Sequence, residues 1–287
     1  MLYSATLSGN QHGAAPPGRS LGCIQPRVSG ASEPRERGAP AQRCASARAG
    51  GAGGAKPPGE TIVPAGDSAW LIELADRLDP DVNARAIDIA ARIQAARLPA
   101  VSDIVVGYRT VMVHVRPLVE AKTPVLPILD RILADPRPSD AASPGRLVTI
   151  PVCYGSDLGP DLQNVAAFAG MPADEVVRRH HAREYRVYMV GFVPGFAYMA
   201  TVDPAIGAPR RRTPRLRVPR GSVAIAGGQT GIYPAETPGG WNIVGRCPVR
   251  PYDPAREEPF LLRAGDRVRF SPIDLETYRS STEWDDV

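Results

Sequence analysis

Glycine and proline cut the second half of this chain into pieces that suit strands and turns better than helices. The apolar stretches between them are "YRVYMVGF", "GSVAIAGG", "WNIVGRCPV" and "DRVRFSPI". Many short strands separated by turn residues predict a β-barrel or a sandwich. The interruption is densest in "AGGQTGIYPAETPGGW" (226–241), where five glycines and two prolines surround Gln229, Thr230, Tyr233, Glu236 and Trp241. Neither a helix nor an ordinary strand needs that pattern. It lets the backbone approach a ligand closely while offering amide, hydroxyl and aromatic groups. An irregular barrel rim would read the same way.

The first half has a different rhythm. Residues 1–60 hold 18 glycines and prolines against five Leu, Ile and Val and the single aromatic Tyr3. Such a segment cannot bury enough apolar area to offset its ordering entropy, so a disordered tail is expected. It bears Arg and Ser and few acids, as transit peptides do. A start site placed too far upstream gives the same composition and is the preferred explanation. Order is expected from Thr61. "TIVPAGDSAWLIEL" reads as a turn and strand. In "DPDVNARAIDIAARIQAARLP", Val82, Ala86, Ile89 and Ile93 recur at helical spacing behind a capping Asp79 or Asp81. "SDIVVGYRTVMVHV" alternates as a strand and "TPVLPILDRILAD" reads as a short helix. This β-α-β-α order predicts a small α/β domain over 61–138. Residues 136–145, "PRPSDAASPG", form a linker by composition. A second domain covers 146–275, opening with a strand and two short helices, and 276–287 is a C-terminal tail. The fold class is α+β.

The net charge of +4 is carried by residues 1–60, with seven basic and three acidic residues, so the remainder balances to about zero. Nothing there predicts a nucleic-acid or anionic-membrane partner. No apolar run approaches the roughly 18 residues of a membrane span. The cysteines at 23, 44, 153 and 247 show no C-x-x-C spacing. That fits reduced thiols in a cytoplasmic protein, with no metal site or redox pair.

Walker A, G-x-S-x-G, H-E-x-x-H and G-x-G-x-x-G motifs are all absent. Three segments stand out instead. In 180–199, His180 and His181 close a helix, and "GFVPGF" then turns sharply, with Pro194-Gly195 suited to a type II turn. Phe192, Phe196 and Tyr198 make an aromatic wall beside it, or simply core. Between 210 and 220 lie six arginines, a basic surface loop or an anion clamp through Arg210, Arg215 and Arg217. Gly221-Ser222 beside them can offer a hydroxyl and backbone N–H groups. The third segment is 226–241. Three polar, glycine-punctuated segments within 62 residues point to one pocket.

These residues carry a resemblance. "HHAREYRVYMVGFVPGFAYM", "PRRRTPRLRVPRGSVAIAGGQTGIYPAETPGGWNIVGRCPVRPYDP" and "LLRAGDRVRF" resemble the KipI/PxpB family. This family comprises the B subunit of bacterial 5-oxoprolinase, also called allophanate hydrolase subunit 1 or the carboxyltransferase C/D subdomain. The likeness runs from about Thr61 to Ile273 and is most specific over 185–246. Arg220 departs from it where a small residue is expected, and Cys247 where Thr is usual. The resemblance implies a small N-terminal α/β domain followed by a C-terminal cyclophilin-like β-barrel. It also implies ATP-dependent opening of 5-oxoproline to L-glutamate, together with a C subunit of the PxpC/KipA type and an A subunit of the LamB/YcsF type. ATP would be shared with, or bound by, those partners, and the chain alone would be inactive.

Within that reading His180 is the candidate acid/base, and Arg210, Arg215 and Gln229 complete the catalytic set. Phe192, Pro194, Gly195, Phe196, Ser222, Thr230, Tyr233, Gly239, Gly240 and Trp241 are expected to bind substrate. Two other readings stand beside it. One is a KipI-like inhibitor of a sensor histidine kinase. The other is the carboxyltransferase component of a urea amidolyase or biotin-dependent system.

Overall fold

The computed structural model describes residues 59–122, 124–135 and 145–281. The tail expected over 1–60, apart from Gly59 and Glu60, and the linker expected over 136–145, apart from Gly145, lie outside them.

Residues 61–134 form a four-stranded antiparallel sheet with helices against it. Its strands are β1 (Thr61–Pro64), β2 (Ala69–Glu73), β3 (Val101–Val106) and β4 (Thr110–Val115), in spatial order β1-β2-β4-β3. The helices are α1 (Pro80–Ala95), α2 (Pro117–Glu120) and α3 (Leu126–Ala134). Two readings of the sequence are corrected here. The segments around Gly66 and Gly107 each form a hairpin rather than one strand, so the order is β-β-α-β-β-α-α. Every neighbouring pair is antiparallel, yet β2 and β3 both pair with β4 and so run parallel to each other, and the chain crosses over between them through α1. The helical spacing of α1 is as expected. Val82, Ala86, Ile89 and Ile93 are all buried, against Val111, Val113 and Val115 of β4 and Leu129 and Leu133 of α3. Asp79 caps α1 by accepting from the N–H groups of Asp81 and Val82.

Strands between 147 and 272 form a closed barrel. Its strands run in the order β10 (Gln229–Ile232), β7 (Ala197–Ala200), β6 (Glu184–Val190), β13 (Arg267–Pro272), β5 (Leu147–Tyr154), β12 (Asn242–Arg246) and β9 (Ser222–Ala226). Only β5 and β13 pair in parallel. A two-stranded ribbon, β8 (Arg215–Val218) with β11 (Thr237–Gly239), stands apart from the barrel wall. Helices α4 (Leu162–Ala169) and α5 (Ala173–His181) follow β5. The chain beyond 275, expected as a tail, begins as helix α6 (Leu275–Ser281).

Alternation along β9 divides the side chains. Val223 and Ile225 join the barrel interior with Ile150, Val187, Met199, Val244 and Phe270. Ala224 and Ala226 join a second cluster with Phe196, Val218, Tyr233, Trp241 and Ile243. The wall of the barrel is thus packed on both faces, and the outer cluster is where the glycine-rich loops gather.

Polar contacts join the four-stranded sheet and its helices to the barrel. Asn83 of α1 donates to the carbonyls of Gly107, Tyr108 and Tyr188 and accepts from Arg186 Nε. Tyr108, at the tip of the β3–β4 hairpin, packs its ring 5.7 Å from Tyr188 and 6.1 Å from Tyr198. Gln229 Nε2 donates to the Tyr108 hydroxyl.

Candidate active site

An open cleft of about 440 Å³ lies over the outer cluster. Its floor is aromatic. Phe196 meets Tyr198, Tyr233 and Trp241 edge to face, with ring centroids 4.8, 5.2 and 5.5 Å away. Such contacts hold these nearly buried rings rigidly, and Phe192 is the exposed ring beside them. Phe192, Pro214, Gly239 and Gly240 complete the sides. Arg210 sits at the edge with its guanidinium 5.8 Å from the Trp241 ring centre, close enough for a cation–π contact. Among the described residues lining the cleft it is the one charged side chain.

Local sequence explains the walls. Val193-Pro194-Gly195-Phe196 is a type II turn closed by the Phe196 N–H to Val193 carbonyl bond of 3.1 Å. Gly195 has φ +85°, and a Cβ there would lie 2.5 Å from the Tyr252 Cβ, so glycine is required twice over. Gly239 lets the Tyr233 ring close in: a Cβ would lie 2.4 Å from its hydroxyl oxygen. Burial raises the Tyr233 phenol, although the Trp241 amide and Arg210 pull the other way. Burial raises Tyr198 as well, again opposed by Arg210. Both phenols are therefore donors at neutral pH.

The loop carrying Arg210 is pinned by a carboxylate that the sequence reading missed as a site residue. Asp161, 1% exposed, accepts from Arg211 and, through both its oxygens, from Arg215 at 2.6 and 2.9 Å. It also accepts from the backbone N–H of Ile243 at 2.8 Å. Burial by itself would raise this carboxyl. The hydrogen bonds from Arg215 and Ile243 and the two cationic charges outweigh it and hold the group below its ordinary value. Arg211 N–H to the Gly240 carbonyl, and Asn242 to the Pro209 carbonyl, tie the same loop to the start of β12. An Asp ahead of α4 was visible in the sequence, but nothing local told which of six arginines it would hold.

Several expected residues stand elsewhere. Arg215 does not line the cleft, and both its terminal nitrogens donate to Asp161. Pro194 and Gly195 border a neighbouring trough of about 620 Å³, between β3, the turn and Phe260. Ser222 and Thr230 are wholly buried in the barrel wall. Gln229 reaches the cleft only indirectly, through Tyr108 and Tyr198.

His180 is the largest departure. It is 1% exposed and stacks on Phe270 at 4.8 Å. Its Nε2 lies 2.9 Å from Thr230 Oγ1 and its Nδ1 2.8 Å from the Tyr154 hydroxyl. The one Thr230 hydroxyl proton goes to the Ala224 carbonyl, so Thr230 accepts from Nε2–H and Tyr154 donates to Nδ1. The imidazole is neutral, and burial pushes its pKa down to about 3. It does not line the cleft. The acid/base role expected for His180 therefore gives way to a structural one, because the helix end that carries it points into the core. Among the described residues no group of three or more His, Cys, Asp or Glu could hold a metal ion, and no helix is long and apolar enough to cross a membrane. Cys153 and Cys247 are both buried.

Residues 60–262 match the family described as carboxyltransferase domain, subdomain C and D. The chain is 37% identical over 232 residues to the 5-oxoprolinase B subunit of Bacillus subtilis (strain 168), covering 76% of this chain and 95% of the relative. It is 39% identical over 208 residues to the 5-oxoprolinase B subunit of Escherichia coli O157:H7, covering 72% and 93%. The crystal structure of TTHA0988 superposes with a TM-score of 0.65 at 39% identity over 72% of this chain, which spans 40% of that longer chain. The urea amidolyase of K. lactis shares the fold alone, with a TM-score of 0.65 at 18% identity over 78% of this chain and 15% of that one. The chain belongs to the carboxyltransferase subdomain C and D family, alongside the 5-oxoprolinase B subunits.

Proposed function

We propose that this chain is the B subunit of an ATP-dependent 5-oxoprolinase, which opens the cyclic amide 5-oxoproline to L-glutamate. Its partners would be a C subunit of the PxpC/KipA type and an A subunit of the LamB/YcsF type. The observation that carries the reading is the cleft itself, a flat aromatic box with a single guanidinium at its edge. 5-Oxoproline is a flat five-membered ring with one carboxylate. The ring suits the surfaces of Phe196, Tyr233 and Trp241, the carboxylate suits Arg210, and the phenols of Tyr198 and Tyr233 are placed to donate to the amide oxygen.

An amide resists water because its nitrogen leaves poorly. ATP, as co-substrate, supplies the activation by converting the amide oxygen into a phosphate ester. What this chain contributes is binding and orientation. The described residues lining the cleft include no Asp, Glu, His or Lys. A base to direct the attacking water must therefore come from outside the cleft lining, and we assign that completion to the PxpC/KipA-type partner.

The test is co-expression with the partner subunits, followed by ATP-dependent release of glutamate from 5-oxoproline. The assembled complex is expected to turn over and the isolated chain is not. Turnover by the isolated chain would overturn the shared site. Carboxybiotin-dependent turnover would favour the carboxyltransferase reading, and capture of a histidine kinase without the PxpC/KipA-type partner would favour the inhibitor reading.

A further inference from the structure

The tip of the β3–β4 hairpin reaches from the four-stranded sheet to the barrel, and its carbonyls are taken one after another. The Gly107 N–H closes the hairpin on the Thr110 carbonyl at 2.8 Å. The Gly107 and Tyr108 carbonyls accept from Asn83 Nδ2, each at 3.2 Å, and the Arg109 carbonyl accepts from the Leu74 N–H at 2.9 Å. Asn83 is fully buried, and the same amide nitrogen reaches the Tyr188 carbonyl of the barrel at 2.9 Å. A loop tip left to solvent is among the more mobile parts of a chain. Here buried hydrogen bonds fix it, and what it carries is the Tyr108 ring.

Tyr108 does not line the aromatic cleft, but Tyr198 does. Gln229 of β10 stands opposite Ala200 of β7, and Tyr198 precedes Ala200 by two residues, so Gln229 and Tyr198 leave the barrel wall on the same face. Tyr108 meets both. Its hydroxyl oxygen accepts from Gln229 Nε2, and its ring stands edge-on to the Tyr198 ring, with centroids 6.1 Å apart and planes at 70°. The other rings around Tyr198 belong to the floor of the cleft, Phe196 at 4.8 Å and Trp241 at 5.9 Å. Three rings therefore hold Tyr198, two from the barrel and one from the sheet. Edge-to-face pairs of this kind are directional, so losing one frees the half-buried Tyr198 ring on the side of the sheet.

We propose that Tyr108 is a positioning residue for the cleft. Its bond with Gln229 sets the Tyr108 ring, and that ring keeps the Tyr198 phenol in one place beside the ligand. The four-stranded sheet is then part of the active site although none of its residues lines the cleft. The placement of Tyr198 is a property of this chain alone, and its consequence for turnover rests on the oxoprolinase reading.

Two measurements test it. In the first, Tyr198 of the full chain is replaced by 3-fluorotyrosine and the mobility of its ring is read by fluorine NMR. Tyr108→Ala should lower the transverse relaxation rate of that fluorine about twofold, because the ring gains fast motion. Tyr108→Phe keeps the ring and loses the bond to Gln229. It should lower the rate by less, and it keeps the test decisive if Tyr108→Ala fails to fold. An unchanged rate in both variants overturns the proposal. The second measurement is turnover of 5-oxoproline by the complex assembled with its partner subunits. Tyr108→Phe should lower kcat about three- to tenfold and leave KM nearly unchanged, as a misplaced donor to developing oxygen charge does. In a Tyr198→Phe background the same change should cost less than about twofold. Equal losses in both backgrounds mean that Tyr108 acts independently of Tyr198, and overturn the proposal. A parent complex that leaves 5-oxoproline intact defeats the oxoprolinase reading instead, and the fluorine measurement still decides the positioning.

Discussion

The two cavities around the β8–β11 ribbon are built on opposite principles. One is walled by rings that are themselves part of the fold: Phe196, Tyr233 and Trp241 are nearly fully buried and pack on one another. The other, of about 760 Å³, is lined by Arg217, Arg220, Arg246 and Arg250 together with Glu236 and Asp253. Rings attract each other, so a ring-lined cleft contributes to stability while it shapes a ligand site. In the second, Arg217 pairs with Glu236, and Arg250 and Arg256 pair with Asp253, so its walls are held by exposed opposite charges. Substitutions in the first should therefore damage fold and function together, and substitutions at the exposed Arg217–Glu236 pair of the second should cost little stability.

The strongest way to break this contrast is at the carboxylate beneath the aromatic cleft. Asp161→Ala leaves Arg211, Arg215 and the Ile243 N–H without their shared acceptor in a largely buried setting. It should cost roughly 3–5 kcal/mol in urea unfolding and dissolve the cleft's near-ultraviolet dichroism. A change below about 1 kcal/mol would mean that the loop is held by other contacts. Trp241→Ala, at a residue 5% exposed, should cost about 3 kcal/mol and abolish substrate binding by the assembled complex.

His180 sharpens the comparison from inside the barrel. Its folded value of about 3 lies below the ordinary 6.5, so the folded state resists taking up a proton that the unfolded chain accepts. The stability it supports is complete above about pH 6.5 and is lost as the pH falls towards about 3. The limiting slope is about 1.4 kcal/mol per pH unit. Urea melts of a His180→Gln variant between pH 6.5 and pH 5 should show a flatter profile than the parent chain. Equal slopes would remove the imidazole as the titrating group. The smallest effect on stability belongs to Arg210→Ala. This exposed side chain should change unfolding by less than about 0.5 kcal/mol. It should nevertheless raise the KM for 5-oxoproline roughly 10- to 100-fold through the lost charge-assisted bond.

Legibility followed the range of the forces. The helix α1 was readable because the burial of Val82, Ala86, Ile89 and Ile93 repeats within one element. The type II turn at Pro194-Gly195 was readable because its dihedrals belong to those two residues. The hairpin tip at Gly107-Tyr108 was not, since valines on both sides read as one run and only pairing in the sheet separates them. Phe192, Phe196, Arg210, Tyr233, Gly239, Gly240 and Trp241 do meet in one cleft. Ser222, Thr230 and His180 carry polar groups of the same kinds, but strand alternation and the direction of a helix end turned them into the wall and the core.

The sequence by itself determined the punctuation of this protein: where strands stop, where glycine must stand, and which family the pattern resembles. Those properties are local, set by the dihedrals and side chains of adjacent residues. Only the tertiary structure decided which charges are available to a ligand. Arg210 and Arg215 are five residues apart and chemically identical, yet Asp161, about fifty residues upstream, holds one and leaves the other at the cleft. Electrostatic partnership depends on distance in space, and chain folding alone sets that distance.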